Sequence, residues 1–269
     1  MGNRSFKLKK IEFSKLILYE DEELVCINKP VGISCLKERV LASRDLITLS
    51  RNYNPNLQLC HRIDKFTSGV LLFAKSETSY RAIARQFRKR EVEKKYWALV
   101  ASPVELKNVI VKKPIAIGKK GVSRIDWARG KMAITVFNTL HRFNHYSLIE
   151  CQPITGRQHQ IRVHLAYLRI PIVGDDTYGG ENLFLSKLKK NFKPGDKEEV
   201  SLNISYLLHA HSIQLTHPLS GEKINLEAPN NKNFNTCLAL LEKFDTYSLP
   251  SKDWSSWNLK NNNQLKFKF

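Results

Sequence analysis

Two short stretches hold most of the side chains that could do chemistry. The first is His61-Arg62-Ile63-Asp64-Lys65-Phe66-Thr67-Ser68-Gly69. It sets a carboxylate beside a guanidinium, closes with Thr-Ser-Gly turn chemistry and lies between two apolar, strand-like segments. A carboxylate held there can act as a nucleophile or general base. It can equally satisfy the backbone N–H groups of a polar turn. A kinase catalytic loop does not fit, because Ile63 separates Asp64 from His-Arg and no Asp-Phe-Gly occurs.

The second stretch is Thr155-Gly156-Arg157-Gln158-His159-Gln160-Ile161-Arg162-Val163-His164-Leu165. Thr155 and Gln158 have capping-box spacing. They predict a helix over about 156–168 with Ile161, Leu165 and Leu168 as its apolar stripe, ended by Pro171. Arg162 falls on the flank of that stripe, from which it can reach into a cleft. A helix start so rich in donors suits an anion or a paired carboxylate, and a solvated basic face is the plainer alternative. His159 and His164 miss the i, i+4 spacing of a zinc-binding helix, although His209 and His211 could join them from one face of a strand. A third stretch, Lys94-Lys95-Tyr96-Trp97-Ala98-Leu99-Val100, opens with a tyrosine that is by itself an ordinary half-buried sheet residue.

The elements around these groups read as short strands with a few helices. Leu16–Tyr19 and Leu24–Asn28 flank the polar turn Glu20–Glu23 and predict a hairpin. Lys29-Pro30-Val31-Gly32 then turns the chain. Residues 36–58 read as polar and irregular, and Gly69–Ala74 as a strand. Ser76 caps a predicted helix over 77–90, with Tyr80, Ile83, Ala84 and Phe87 at helical spacing and Arg81, Arg85 and Arg88 as a separate basic stripe. Further strands are expected at Lys95–Val100, Ile134–Thr139, Tyr146–Glu150, His209–Thr216 and Lys223–Glu227, and a last helix near 233–244. The pattern predicts an α+β fold, a mixed, mainly antiparallel central sheet with flanking helices; its alternation is too irregular for a doubly wound sheet. The expected division is a basic arm over 1–15, a catalytic unit over 16–246 with a Lys-rich insertion at about 181–206, and a loosely ordered polar tail over 247–269.

Charge narrows the partner. Lys and Arg total 44 against 25 acidic residues, a net charge of +19, which suggests an acidic partner. Nucleic acid fits better than an anionic membrane, since no long basic amphipathic helix stands out. The five cysteines are scattered without a C-x-x-C pair, which argues against a disulfide framework and a cysteine zinc site. No run approaches the ~20 apolar residues of a membrane span, the first residues lack the apolar stretch of a signal peptide, and Phe6 stands where a myristoylation signal wants Ser or Thr. A cytoplasmic monomer, with no membrane and no obligate protein partner, is the expectation.

Taken together, Leu24–Gly32, His61–Lys75, Lys94–Val100, Thr155–Leu165, Pro171–Gly180 and Leu208–Gly221 resemble, in order, the motifs of the RluA-type RNA pseudouridine synthases. The resemblance covers most of residues 16–230. It implies the pseudouridine synthase fold and an isomerase that needs no cofactor and no metal, acting on a uridine of structured RNA (rRNA or tRNA). That reaction breaks the C1′–N1 bond, turns the base and rejoins it through C5. The resemblance makes Asp64 the catalytic carboxylate and Arg162 its basic partner. It makes Tyr96 the residue that stacks on the base and assists loss of the C5 proton, and Arg62 the group that fills the place of the flipped base. His61, Thr67, Arg157, His159, Gln160 and Leu165 are expected to line the substrate site, with Arg81, Arg85 and Arg88 on phosphates. Ile63 stands where leucine is usual, and Lys65-Phe66 replaces a common basic-acidic pair. Fifteen residues before the first strand are too few for the S4-type module that many relatives carry. A catalytically weak RNA-binding or assembly factor on the same fold is the competing reading; a metal-dependent nuclease using Asp64, Asp175 and the histidines is a more distant one.

Overall fold

The computed structural model describes residues 11–37, 45–118, 121–189, 191–192 and 198–247. Most of the basic arm, Lys190, Lys193, the Pro194-Gly195 signal and the tail beyond 247 lie outside these residues. The expected hairpin is present, with β1 (Ile17–Glu20) antiparallel to β2 (Leu24–Lys29). Its turn is closed by Asp21, whose carboxylate accepts the backbone N–H groups of Glu23 and Leu24.

The stretch read as irregular contains a helix, α1 (Leu46–Tyr53). Asp45 caps it by accepting the Thr48 N–H at 2.8 Å. Leu46 fixes it to the core, fully buried against Leu71 and Phe73. After β3 (Gln58–Leu59) comes β4 (Ser68–Ala74), every residue of which is buried. Its pleat explains the unbroken apolar run: Leu71 and Phe73 face α1 and the 60–67 loop. Val70, Leu72 and Ala74 face Tyr80, Ile83 and Phe87 of α2 (Glu77–Lys89). Ser76 caps α2 as expected, accepting the Ser79 N–H at 3.1 Å.

The chain continues through β5 (Glu93–Val100), β6 (Val109–Ile117), β7 (Ser123–Ile125), β8 (Lys131–Arg142) and β9 (Ser147–Pro153). Then come α3 (Gln160–Tyr167), α4 (Leu185–Leu188), β10 (Leu208–Thr216), β11 (Lys223–Glu227) and α5 (Lys232–Phe244). The strands form one sheet in the order β1-β2-β4-β10-β5-β9-β8-β6-β7, with β3 on β4 and β11 on β10. All pairings between these strands are antiparallel but one: β10 runs parallel to β4 through Ser68/His209 and Gly69/Ala210. Gly69 is obligatory there, with φ +110°, because a Cβ would fall 2.1 Å from the Ala210 carbonyl oxygen. No helix among the described residues is long and apolar enough to cross a membrane.

The start of α3 departs from the expected capping box. The helix opens at Gln160, four residues after the predicted start, and His159 before it is left-handed with φ 54°. The Gln160 amide does the capping: its Oε1 accepts the Thr155 hydroxyl at 2.7 Å and the Arg157 N–H at 3.0 Å. Its Nε2 donates to the Ile134 carbonyl and to Thr135 Oγ1 of β8. Gln158 instead turns outward to the Gly121 carbonyl. Anchoring to β8 overrides the local motif.

Candidate active site

A cleft of about 510 Å³ opens between the 60–67 loop, β5 and the 153–162 segment that leads into α3. Asp64 stands at its edge, its side chain 29% exposed. The backbone on either side of it is pinned. Cys35 Sγ donates to the Ile63 carbonyl at 3.2 Å, and the Gly32 N–H donates to the Lys65 carbonyl at 2.9 Å. Lys29, wholly buried, points its ammonium at the carbonyls of Pro30, Ile33 and Lys65 at 3.0, 2.9 and 3.0 Å. Burial brings Lys29 down to about 8, while nearby Cys35 and Asp64 favour its charge. A turn from Asp64 to Thr67, closed by the Thr67 N–H on the Asp64 carbonyl, then leads into β4.

Arg162 is buried, as its place on the α3 flank allows, but its principal partner is not the expected one. Its Nε and Nη2 donate to the two carboxylate oxygens of Asp175, both at 2.7 Å, and Asp175 is fully buried. Asp64 is the second neighbour, 3.8 Å from Nη1. Burial works against the guanidinium charge, but the Asp175 hydrogen bonds and the surrounding oxygens raise its pKa above the usual value. The rings of Tyr178 and Tyr206 lie 4.7 and 4.4 Å from its central carbon and add cation–π attraction. Arg162 is thus a pre-paid, fixed cation beside Asp64, anchored from the Asp175 loop.

His159 stands between Asp64 and Tyr178. Its Nε2 is 4.0 Å from Asp64 Oδ2 and its Nδ1 is 2.8 Å from the Tyr178 hydroxyl. Burial lowers its pKa, Asp64 opposes that, and Arg162 reinforces it.

Tyr96 faces the cleft from β5, opposite Ala210 of β10 and Cys151 of β9. Burial first, then the Asp64 carboxylate, push its phenol well above the usual range. The hydroxyl is therefore held protonated beside the cleft.

Among the other expected residues, Arg62, His61, Thr67, Arg157 and Gln160 line the cleft. His61 is held there by accepting the Leu72 N–H at 3.2 Å, and burial followed by Lys94 lowers it to about 3. Leu165 does not line the cleft; it is fully buried in the core with Ile161 and Phe137. Of the three stripe arginines only Arg88 reaches the cleft, joined by Arg90 and Lys94. Arg81 pairs with Glu77 on the outer surface and Arg85 is exposed away from the lining. The histidines do not converge. His209 is spent on Ser68 and the Ala228 carbonyl, and His211 stacks on Trp97, whose neighbour Tyr96 points to the cleft. Sequence reasoning gave no role to Lys29, Tyr178 or Tyr206, and named Asp175 only in the distant metal-nuclease reading. The signal for Lys29 was a lone cation ending the apolar run of β2; for Asp175 it was a carboxylate after Gly174 in the loop following α3.

The RNA pseudouridylate synthase family model matches residues 23–167. A ribosomal large subunit pseudouridine synthase C from Haemophilus ducreyi is 38% identical over 246 residues, covering 88% of this chain and 72% of that protein. Its counterpart in Buchnera aphidicola is 37% identical over 249 residues, covering 88% and 75%. The solved structure titled human RNA pseudouridylate synthase domain containing 4 superposes with a TM-score of 0.64 at 27% identity, covering 86% of this chain and 94% of that one. With a mainly antiparallel sheet that brings Asp64, Arg162 and Tyr96 to one cleft, the chain belongs to the RluA-type RNA pseudouridylate synthase family, the isomerases that convert uridine to pseudouridine in RNA.

Proposed function

We propose that the chain isomerises a uridine of large-subunit ribosomal RNA, with Asp64 as the reacting carboxylate and residues 16–246 as its catalytic unit. The observation that carries this reading is a partly exposed carboxylate on a pinned loop, 3.8 Å from a buried guanidinium whose charge another carboxylate already balances. Such a carboxylate is oriented by the cation without being quenched in a tight ion pair. The names of the bacterial relatives, which specify the large ribosomal subunit, support the choice of RNA.

The roles follow from position. Asp64 attacks the ribose or removes a ribose proton, and Arg162 steadies its charge. Arg62, exposed at the mouth of the cleft, occupies the place of the extruded base, whose unstacking costs a few kcal/mol. Tyr96 supports the detached uracil by stacking. Arg88, Arg90, Lys94 and Arg157 supply cations to the phosphates at the cleft. The test is product formation by the wild type and Asp64→Ala on large-subunit rRNA and tRNA transcripts, with circular dichroism and filter binding in parallel. Pseudouridine in the ribosomal transcript, abolished by Asp64→Ala with fold and affinity retained, is expected. A tRNA-only product would overturn the substrate, and an active Asp64→Ala the site.

A further inference from the structure

Rejoining the base through C5 leaves that carbon bearing both the ribose and its hydrogen. The C5–H bond must then break. Its electrons re-form the C5–C6 double bond and pass charge to N1, which takes up a proton, so the net change is one proton moved from C5 to N1. A base is needed within the cleft, and this question rests on the isomerase reading above.

Few groups there can serve. Arg62, Arg88, Arg90, Arg157 and Arg162 have no lone pair to offer. The Tyr96 phenol is held protonated. The Nε2 lone pair of His61 already accepts the Leu72 N–H. Lys94 lies beside His61, and burial lowers it only to about 8, so it is mostly an ammonium at neutral pH. Asp64 is assigned to the sugar step and sits against the Arg162 guanidinium, 3.8 Å away.

The geometry points to His159 Nε2 as the base that takes the C5 proton. Proton bookkeeping around Tyr178 fixes the tautomer. The phenol has one proton, and it goes to the Ser123 carbonyl at 2.9 Å. The same oxygen accepts the Ser123 N–H at 3.2 Å. With the phenol proton on the Ser123 carbonyl, His159 Nδ1 at 2.8 Å is the donor. Nδ1 carries the hydrogen, and Nε2 keeps a lone pair directed toward the cleft and Asp64, 4.0 Å away. The left-handed backbone of His159, uncommon for a residue with a side chain, is what turns the ring there. Burial, Arg162 and Arg62 keep the imidazole neutral and ready to accept; Asp64 and Asp175 stabilise it once protonated. With the ribose already on C5, the Asp64 carboxylate faces the new imidazolium, which hands its proton to N1 or to water.

The experiment is single-turnover isomerisation of an RNA transcript carrying protio or 5-deuterio uridine, by wild type, His159→Gln, Tyr178→Phe and Asp64→Ala. His159→Gln is expected to lose about 10²–10⁴-fold in rate and to show a larger C5 isotope effect than the wild type, because proton removal becomes rate-limiting. Tyr178→Phe keeps the ring over Arg162 but frees the imidazole to carry its hydrogen on Nε2. A smaller loss with the same isotope signature is expected, and this variant carries the test if His159→Gln does not fold. Wild-type rate, or slowing without any added isotope effect in both variants, would overturn the assignment. Wild-type product formation and its loss in Asp64→Ala test the isomerase reading separately, since neither depends on which group takes the C5 proton.

Discussion

Arg162→Met removes a cation whose partner is wholly buried. Asp175 is fully inaccessible and Arg162 is 6% exposed, so the variant strands a carboxylate with no solvent to relieve it. Breaking such a pair from one side costs about 3–5 kcal/mol. At roughly 2–4 °C per kcal/mol for a chain of this size, the melting midpoint should fall by about 6–20 °C. Asp175→Leu strands the guanidinium instead, but Asp64 at 3.8 Å can partly take over, so a smaller drop is expected. The double variant Arg162→Met/Asp175→Leu leaves no charge stranded and should melt closer to the wild type than Arg162→Met does. Turnover should not follow stability. The double variant still lacks the cation beside Asp64 and should be as inactive as Arg162→Met. Melting of all four proteins, with single-turnover rates, closes the cycle. Strictly additive destabilisation, or an Arg162→Met that melts like the wild type, would refute the pairing. Recovery of activity in the double variant would refute the link from Arg162 to Asp64.

Arg88→Ala should lower the log–log salt slope of RNA binding by about 0.7–0.9, whereas Arg81→Ala, already paired with Glu77 outside the cleft, should leave it unchanged; identical slopes in a filter-binding titration would remove Arg88 from the RNA surface. Tyr96→Phe keeps the ring and should retain affinity and most of the rate, while Tyr96→Leu should weaken binding by about 1–3 kcal/mol; a Tyr96→Phe as slow as His159→Gln, with the same C5 isotope effect, would return the base to the phenol. His61, His141, His164 and His209 are held neutral by burial, at about 3, 4, 4 and 4 against 6.5. Their folded values are depressed, so their contribution is fully present above pH 6.5 and is lost as pH falls from 6.5 toward 4, where the unfolded chain takes up protons that the fold refuses. For His209 alone that is about 3 kcal/mol, and urea midpoints that do not differ between pH 7.5 and pH 5 would contradict it.

The parts of this fold legible in the sequence are those where local and tertiary preferences agree. α2 shows itself through Ser76 and an apolar stripe that meets β4, and β4 through an unbroken apolar run that the pleat divides between two cores. α1 was hidden because Ile47, Thr48, Ser50 and Asn52 are weak helix formers and only eight residues long; burial of Leu46, not propensity, holds it. The cap of α3 was misread because Gln160 draws its partners from β8, 25 and 26 residues away. Asp64, Tyr96 and Arg162 could be singled out through the order of motifs, whereas the bidentate partner of Arg162 could not. Asp175 sits thirteen residues downstream in a loop, and no spacing rule ties a helix flank to a loop that folds back on it.

The two-residue parallel junction between β4 and β10 also sets a clock. It joins Ser68 to His209 across 141 residues of chain, and the loop carrying Asp64 ends directly at this seam. During synthesis at roughly 5–20 residues per second, about 7–30 s pass between the appearance of the two sides. Throughout that interval β4 lacks the neighbour that aligns it with β5, and Asp64 has no fixed relation to Tyr96 or to α3. Contacts so distant in sequence are also slow to form. A nascent chain should therefore bind RNA through its cations well before it can change a base, and catalytic competence should arrive abruptly once β10 has left the ribosome and docked.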